Sequence, residues 1–125
     1  SKALLIPARL FALDPWPRSL IDDLVTIHFV HRGCGVAIAV LALAQLAASF
    51  ARPTSCARRR AALAVAGAAL TTAGLGIATV LTGVSTVPAA AHQLSALLLF
   101  ACAIVALHLA LQGGPETQSA HPASR

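Results

Sequence analysis

Charged and aromatic side chains are scarce in this chain, and methionine and tyrosine are absent from it. Charged residues make up 10% of the sequence and aromatic residues 4%, whereas 58% of the residues are hydrophobic. With a mean hydropathy of +0.80, this composition excludes a water-soluble domain and predicts an integral membrane protein. Because an intact reading frame begins with methionine, we expect the 125 residues to be a cropped or processed part of a longer protein with further helices.

Neither the cysteines nor the positive charge indicates a soluble binding function. Cys34, Cys56 and Cys102 have no C-x-x-C spacing, and two of them lie within apolar segments. We therefore interpret Cys34 and Cys102 as small packing residues rather than redox or metal sites. The net charge of +5 comes from basic residues scattered over a loop and two flanks without interleaved aromatic residues. This pattern predicts membrane topology and contact with lipid, not nucleic-acid binding.

Three apolar segments are each long enough to cross a bilayer, so we predict an all-α integral membrane helical bundle with three transmembrane helices visible. The first is not a signal peptide, because a polar, proline-bearing leader precedes it and no small-residue cleavage site follows a short core. The predicted parts are an external or interfacial loop at 1–23, a transmembrane helix at 24–50, a basic cytoplasmic loop at 51–60, a second transmembrane helix at 61–84, an external turn and third transmembrane helix at 85–111, and a disordered cytoplasmic tail at 112–125.

The basic loop sets the predicted orientation, because loops on the cytoplasmic side of a membrane are enriched in lysine and arginine. Arg52, Arg58, Arg59 and Arg60 all lie between the first two apolar segments. We therefore expect this loop to face the cytoplasm, or the matrix if the source is mitochondrial. The predicted location is the inner membrane, which the chain crosses several times.

Two histidines enter the membrane from the same predicted outer face. His31 lies about five residues into the first segment and His92 about four into the third, which at 1.5 Å per residue is roughly 6 to 10 Å below the surface. A lone histidine at such a depth is commonly half-solvated or hydrogen-bonded, but polar groups within hydrocarbon are costly and are usually functional or paired. The matched depth of the two favours axial ligands of one haem iron.

The neighbours of these histidines suit a flat macrocycle. Gly35 and Ala96 each follow a histidine by four residues, which is one helical turn, and both are small. Arg32 either pairs with a haem propionate or extends its side chain to the interface. His28, one turn before His31, is a neighbour of the ligand, a substrate-site residue or an interfacial side chain.

Other polar positions have weaker predictions. His108 lies near the far end of the third segment, where it bonds the last carbonyls or lines the inner leaflet, and His121 lies in the tail. The second segment contains no ionisable group and is predicted to be a packing helix without direct chemistry. Glycine and threonine residues of this segment have spacings that let helix backbones approach closely. They are Gly67, Thr72, Gly74, Gly76, Thr79 and Gly83.

Two runs of sequence resemble one known family. The run LLIPARLFALDPWPRSLIDDLVTIHFVHRGCGV resembles the external loop and following helix in the C-terminal half of haem A synthases, and LGIATVLTGVSTVPAAAHQLSALLL resembles the next helix pair. The His31–Arg32 pair and the His-Gln-x-x-Ala pattern at His92 fall where that family has its haem-binding histidines. The resemblance covers about residues 4–111, and the ordered set of motifs is much more specific than any one of them.

The resemblance implies an oxidoreductase of two four-helix halves, and that this chain shows three helices of a four-helix half. The enzyme of this family oxidises a methyl group of haem O to the formyl group of haem A. The resemblance also implies that this half holds a b-type haem through His31 and His92. The family's catalytic half has a glutamate three residues before its histidine–arginine pair, but this chain has His28 there. We therefore predict that catalysis depends on a missing N-terminal half or on a second copy, and that His28 is the one candidate for a direct role.

Two alternatives remain. The first is a bis-histidine cytochrome b subunit that transfers electrons without oxidising a methyl group, because such a protein needs the same pair of ligands and no proton-handling carboxylate. The second is a structural membrane subunit without a cofactor, against which the matched depth of the histidines is the main argument.

Overall fold

The structure is a computed structural model that describes residue 7 and residues 9–112. Within these residues all the regular secondary structure is helical, and there is no strand. A 3-10 turn at Trp16–Arg18 leads into a short helix, α1, at Ser19–Asp22. The long helices are α2 at Leu24–Ala51, α3 at Cys56–Leu81 and α4 at Thr86–Gln112. All three are long and apolar enough to cross a membrane, which confirms the predicted all-α membrane fold.

The chain divides into two compact units, residues 1–41 and residues 42–125. In the first, the leader is hydrogen-bonded to α1 and to the start of α2. The backbone N–H of Phe11 donates to Thr26 Oγ1 at 3.1 Å, and that of Leu13 donates to Ser19 Oγ at 3.0 Å. Thr26 and Ser19 are fully buried, so both hydroxyls have partners where water is excluded.

Asp23 caps the first turn of α2. Its carboxylate accepts the backbone N–H groups of Val25 and Thr26 at 3.2 Å each, as well as the Thr26 hydroxyl. These donors have no partner within the helix, so an acceptor at this position stabilises the helix start. The hydrogen bond from Thr26 is the main cause that lowers the pKa of Asp23 below its usual value of 3.8.

Helix α3 begins five residues before the apolar segment predicted at 61–84. Ser55 is its N-cap and accepts the backbone N–H of Arg58 at 3.4 Å, so three of the four loop arginines lie in the first two turns of the helix. Apolar residues mark the part of a helix that lies in the membrane, whereas capping marks where the backbone hydrogen bonds begin. The predicted loop at 51–60 is therefore shorter in the structure and ends at Ser55.

The turn after α3 reverses the chain with a left-handed residue. Gly83 has a φ of +66°, which glycine adopts without steric cost, and the N–H of Val84 donates to the Thr79 carbonyl at 2.8 Å. This bond spans five residues, as in the Schellman ending of a helix. Helix α4 starts at Thr86, and Pro88 lies in its first turn, where a missing N–H removes no helical bond.

Alanine side chains form the core of the second unit. Helices α3 and α4 pack against each other, and the buried residues of α3, at helical spacing, are Ala62, Val65, Ala66 and Ala69. Val65 and Ala69 form a cluster with Ala42 and Ala106, against which Cys102 packs. Small residues allow such helices to approach closely. The second helix is thus a packing helix, as predicted, but its buried contacts come mainly from alanine. A Cβ atom added at Gly67 or Gly74 would meet no described atom within 4 Å.

Much of the apolar surface is left uncovered by the described residues. Leu111 is 74% exposed and Val87 79% exposed, and Cys34, expected to be a packing residue, is also exposed. The expectation for Cys34 comes from its apolar neighbours in the sequence, which do not specify the direction of its side chain. Such faces are suited to contact with lipid or with further helices. The predicted tail at 112–125, apart from Gln112, and His121 within it lie outside the described residues.

Candidate haem site

His92 on α4 is held by the backbone of α3. Its Nδ1 lies 2.9 Å from the carbonyl oxygen of Thr72, and the side chain is half-buried. A carbonyl oxygen only accepts hydrogen bonds, so Nδ1 must carry the proton in this contact. In the neutral ring, Nε2 then carries the lone pair.

Gly76 makes room for this contact. A Cβ atom at Gly76 would lie 3.1 Å from Cε1 and 3.3 Å from Nδ1 of His92, both closer than ordinary van der Waals contacts. Gly76 is one turn after Thr72, so a side chain there would stand beside the carbonyl that the ring approaches. The missing side chain lets the imidazole lie directly against α3.

This arrangement resembles the support of a metal-binding histidine. Histidines that bind a metal through one ring nitrogen almost always donate the other N–H to a carboxylate, a backbone carbonyl or water. The Thr72 carbonyl has two lone pairs and can accept His92 in addition to its own helical N–H partner. Ala96, one turn after His92, is half-buried and leaves no large side chain on the same face.

His31 lies in the first unit, on an exposed face of α2. Arg32, Gly35 and His28 are exposed as well. A Cβ atom added at Gly35 would meet no described atom within 4 Å, so the surface one turn after His31 is open. A flat ring is compatible with that surface.

Each histidine lies at a similar distance along its own helix. His31 is seven residues after the start of α2 at Leu24, and His92 is six after the start of α4 at Thr86. At about 1.5 Å per residue, these positions are about 10 and 9 Å from the respective helix starts. Each count is two residues more than the estimate made from the apolar segments, and the equal depth of the two histidines in a membrane stays a prediction.

His108 belongs to a different region of α4. It lies 16 residues after His92, about 24 Å along the helix. Its Nε2 is 2.8 Å from the side-chain nitrogen of Gln112, so it contacts a side chain in the last turn. The partner is thus a side chain rather than one of the last carbonyls, and a position of His108 in the inner leaflet stays a prediction.

Thr72 and Gly76 were not predicted as parts of a site. The sequence assigns the second helix to packing because it has no ionisable side chain, but its contribution to His92 is a main-chain carbonyl and a missing side chain. Every residue has a carbonyl, so the sequence gives no signal for the acceptor. Gly76 is a weak signal, since a Cβ atom added at Gly67 or Gly74 of the same helix would meet no described atom within 4 Å.

Comparisons with known proteins give a consistent result. Residues 1–104 match the family model described as COX15-CtaA, cytochrome oxidase assembly protein. The heme A synthase of Nitrosospira multiformis is 38% identical to this chain over 103 residues. Those residues are 82% of this chain and 29% of that protein, so the chain spans less than a third of its relative's length. No solved structure matches the chain.

Proposed function

Because the chain belongs to the COX15-CtaA family of cytochrome oxidase assembly proteins, we propose that it is the haem-binding half of a haem A synthase-like oxidoreductase. The proposed reaction of the complete enzyme oxidises a methyl group of haem O to the formyl group of haem A. This half is proposed to hold a b-type haem and to lie in an inner membrane. The basic loop is proposed to face the cytoplasm or matrix.

The contact between His92 and Thr72 carries the proposal. The carbonyl at 2.9 Å fixes the ring tautomer and its orientation, so Nε2 is the nitrogen that would bind iron. The same hydrogen bond would fix the tautomer of a histidine needed only for packing, so the contact and the family together support the proposal. His92 with a proton on Nδ1 therefore fits an axial ligand of haem iron.

His31 is proposed as the second axial ligand, on the basis of its matching depth and the open surface at Gly35. When bound, the haem would supply a centre for one-electron transfer. Gly35 and Ala96 are small and would leave space for the haem macrocycle beside the two histidines. Arg32 is exposed and is proposed to pair with a propionate through charge-assisted hydrogen bonds, although extension to the interface also accounts for its position.

The acidic residues limit the chemistry that this chain performs alone. Residues 24–112 contain no aspartate or glutamate, so the long helices have no carboxylate to accept a proton from the substrate. His28 is the remaining candidate for a direct role, one turn before His31. We propose that methyl oxidation requires an N-terminal half or a second copy that provides the missing group.

The missing carboxylate also favours a second candidate function. A bis-histidine cytochrome b subunit needs two ligands and a low-dielectric environment but no proton acceptor. This chain would then pass electrons without oxidising haem O. The two functions use the same ligands and differ in whether haem A is formed.

The visible spectrum of the detergent-purified protein tests the haem proposal. We expect a low-spin b-type spectrum, identified by its pyridine haemochrome, that is lost in both His31→Ala and His92→Ala. His108→Ala is the matched control, because it removes a histidine of α4 that is about 24 Å from His92, and it should retain the spectrum. A folded wild-type protein that binds no haem would contradict both candidate functions and leave a structural subunit.

Conversion of haem O distinguishes the two candidates. Membranes containing the complete protein are supplied with haem O, and the extracted haems are separated by chromatography. Formation of haem A that depends on His31 and His92 supports the synthase. A stable haem spectrum without any haem A supports the electron-transfer subunit.

A further inference from the structure

A cavity of about 290 Å³ lies at the basic end of the second unit. It is bounded by the end of α2, the connection after it, and parts of α3 and α4. Its polar lining consists of Gln45, Ser49, Arg52, Thr54 and Arg58. Alanines of α3 and α4, including Ala62 and Ala106, form an apolar wall. The cavity is at the small end of the size range of ligand pockets, which suits a headgroup rather than a large cofactor.

The guanidinium groups of this cavity have no acidic counterpart nearby in the sequence. Residues 24–112 contain no aspartate or glutamate, and the one acidic residue after them is Glu116. Arg59 interacts differently, because its guanidinium lies 4.9 Å from the centroid of the Phe50 ring. Arg52 and Arg58 therefore present positive charge to the cavity that the long helices do not neutralise.

The cavity lies at a level of the membrane where anionic lipid headgroups are available. Helix α2 ends at Ala51 and α3 begins at Cys56, and both are long enough to cross a membrane. A short connection between two spans lies at the level of the lipid headgroups. Guanidinium groups bind phosphate through paired hydrogen bonds, and basic pockets between transmembrane helices bind phospholipid headgroups.

Ser49 adds a preference for a headgroup with hydroxyl groups. Its own O–H donates to the Leu46 carbonyl at 2.7 Å, so the side-chain oxygen is an acceptor towards the cavity. A phosphate oxygen cannot donate to it, whereas the hydroxyl groups of a glycerol headgroup can. The lining therefore complements a group that combines a phosphodiester with hydroxyl donors.

We propose that this cavity binds the phosphoglycerol headgroup of an anionic phospholipid. Arg52 and Arg58 contact the phosphate oxygens, and Ser49 accepts a hydroxyl of the headgroup. The alanine wall at Ala62 and Ala106 contacts the first apolar atoms below the headgroup. This site is separate from the proposed haem ligands and does not depend on the proposed function.

Retention of lipid by the detergent-purified protein tests this site. The protein is equilibrated with mixed micelles of phosphatidylcholine and phosphatidylglycerol, and bound lipids are counted by native mass spectrometry. We expect selective retention of phosphatidylglycerol that falls about fivefold in Arg58→Gln, as expected for one arginine at a membrane surface. Arg60→Gln is the matched control, because it removes the same charge at a residue two positions further along α3. Arg60 does not line the cavity.

Arg52→Gln gives a second test outside the helices. Arg52 is exposed in the connection after α2, so its replacement reaches the cavity without altering a helical turn, and we expect a similar fall. Equal losses in Arg58→Gln and Arg60→Gln would mean general attraction to the basic surface and would overturn the proposal. Equal retention of phosphatidylcholine, or displacement of phosphatidylglycerol by millimolar inorganic phosphate, would also overturn it.

Discussion

Replacing Gly76 with alanine is expected to weaken haem binding while leaving α3 intact. The new Cβ would lie 3.1 Å from Cε1 of His92, about half an ångström inside the optimal separation of carbon atoms. The ring must move away from α3 by a few tenths of an ångström or more. That movement lengthens or misaligns the contact between Nδ1 and the Thr72 carbonyl, which is 2.9 Å in the native protein.

The expected loss is about tenfold in haem affinity. A hydrogen bond of this kind contributes about 0.5–1.5 kcal/mol, and loss of a partner that orients a metal ligand commonly costs 10- to 100-fold in affinity. The substitution has the opposite effect on the helix, because alanine favours a helical backbone over glycine by about 0.5–1 kcal/mol. Weaker haem binding together with unchanged or higher thermal stability of the apoprotein is therefore the expected result for Gly76→Ala.

Gly74→Ala provides the matched control. Gly74 lies on the same helix, and a Cβ atom there would meet nothing within 4 Å. Haem is titrated into each apoprotein and followed by the Soret and α bands, and unfolding is followed by circular dichroism. Identical haem affinity and spin state in Gly76→Ala and Gly74→Ala would refute the role assigned to the Thr72 contact.

Two further predictions concern the backbone acceptor and the leader. Thr72→Val removes a side-chain hydroxyl but retains the main-chain carbonyl, so a haem titration should give unchanged affinity, and a large loss would mean that the side chain holds His92. Asp23→Ala should destabilise the helix start and expose the leader to proteolysis, whereas Asp22→Ala, which removes an exposed ion pair, should have little effect. Because the bond from Thr26 lowers the pKa of Asp23, its stabilisation is complete above the usual value of 3.8 and is lost as the pH falls through the lower folded-state pKa. Protease resistance of the wild-type leader that already falls near pH 6 would contradict this assignment.

The proposed haem site combines two kinds of information. His31 and His92 are recognisable in the sequence because imidazole is unusual within long apolar segments and because both lie near helix starts. Their proposal as a ligand pair rests on the predicted depth and on the family. The contact of His92 with α3 is a separate observation, because it joins residues that are 20 positions apart.

The sequence by itself determined the membrane class, the number of long helices and the end of each helix at which the histidines lie. These properties depend on the length and composition of continuous segments, since a bilayer needs about 20 apolar residues to be crossed by a helix. Helix bounds were less accurate, because the cap at Ser55 precedes the apolar part of α3. The resemblance added the identity of the family, which the comparisons confirm.

Only the tertiary structure decided which residues of α3 support His92 and which form the core. Gly67, Gly74 and Gly76 look alike in the sequence, yet only at Gly76 among these three would a side chain meet the imidazole. The Thr72 acceptor is a backbone atom, which no side-chain pattern indicates. Such contacts depend on the rotation of each helix about its own axis and on the axial shift between two packed helices. The apolar composition of each helix fixes neither.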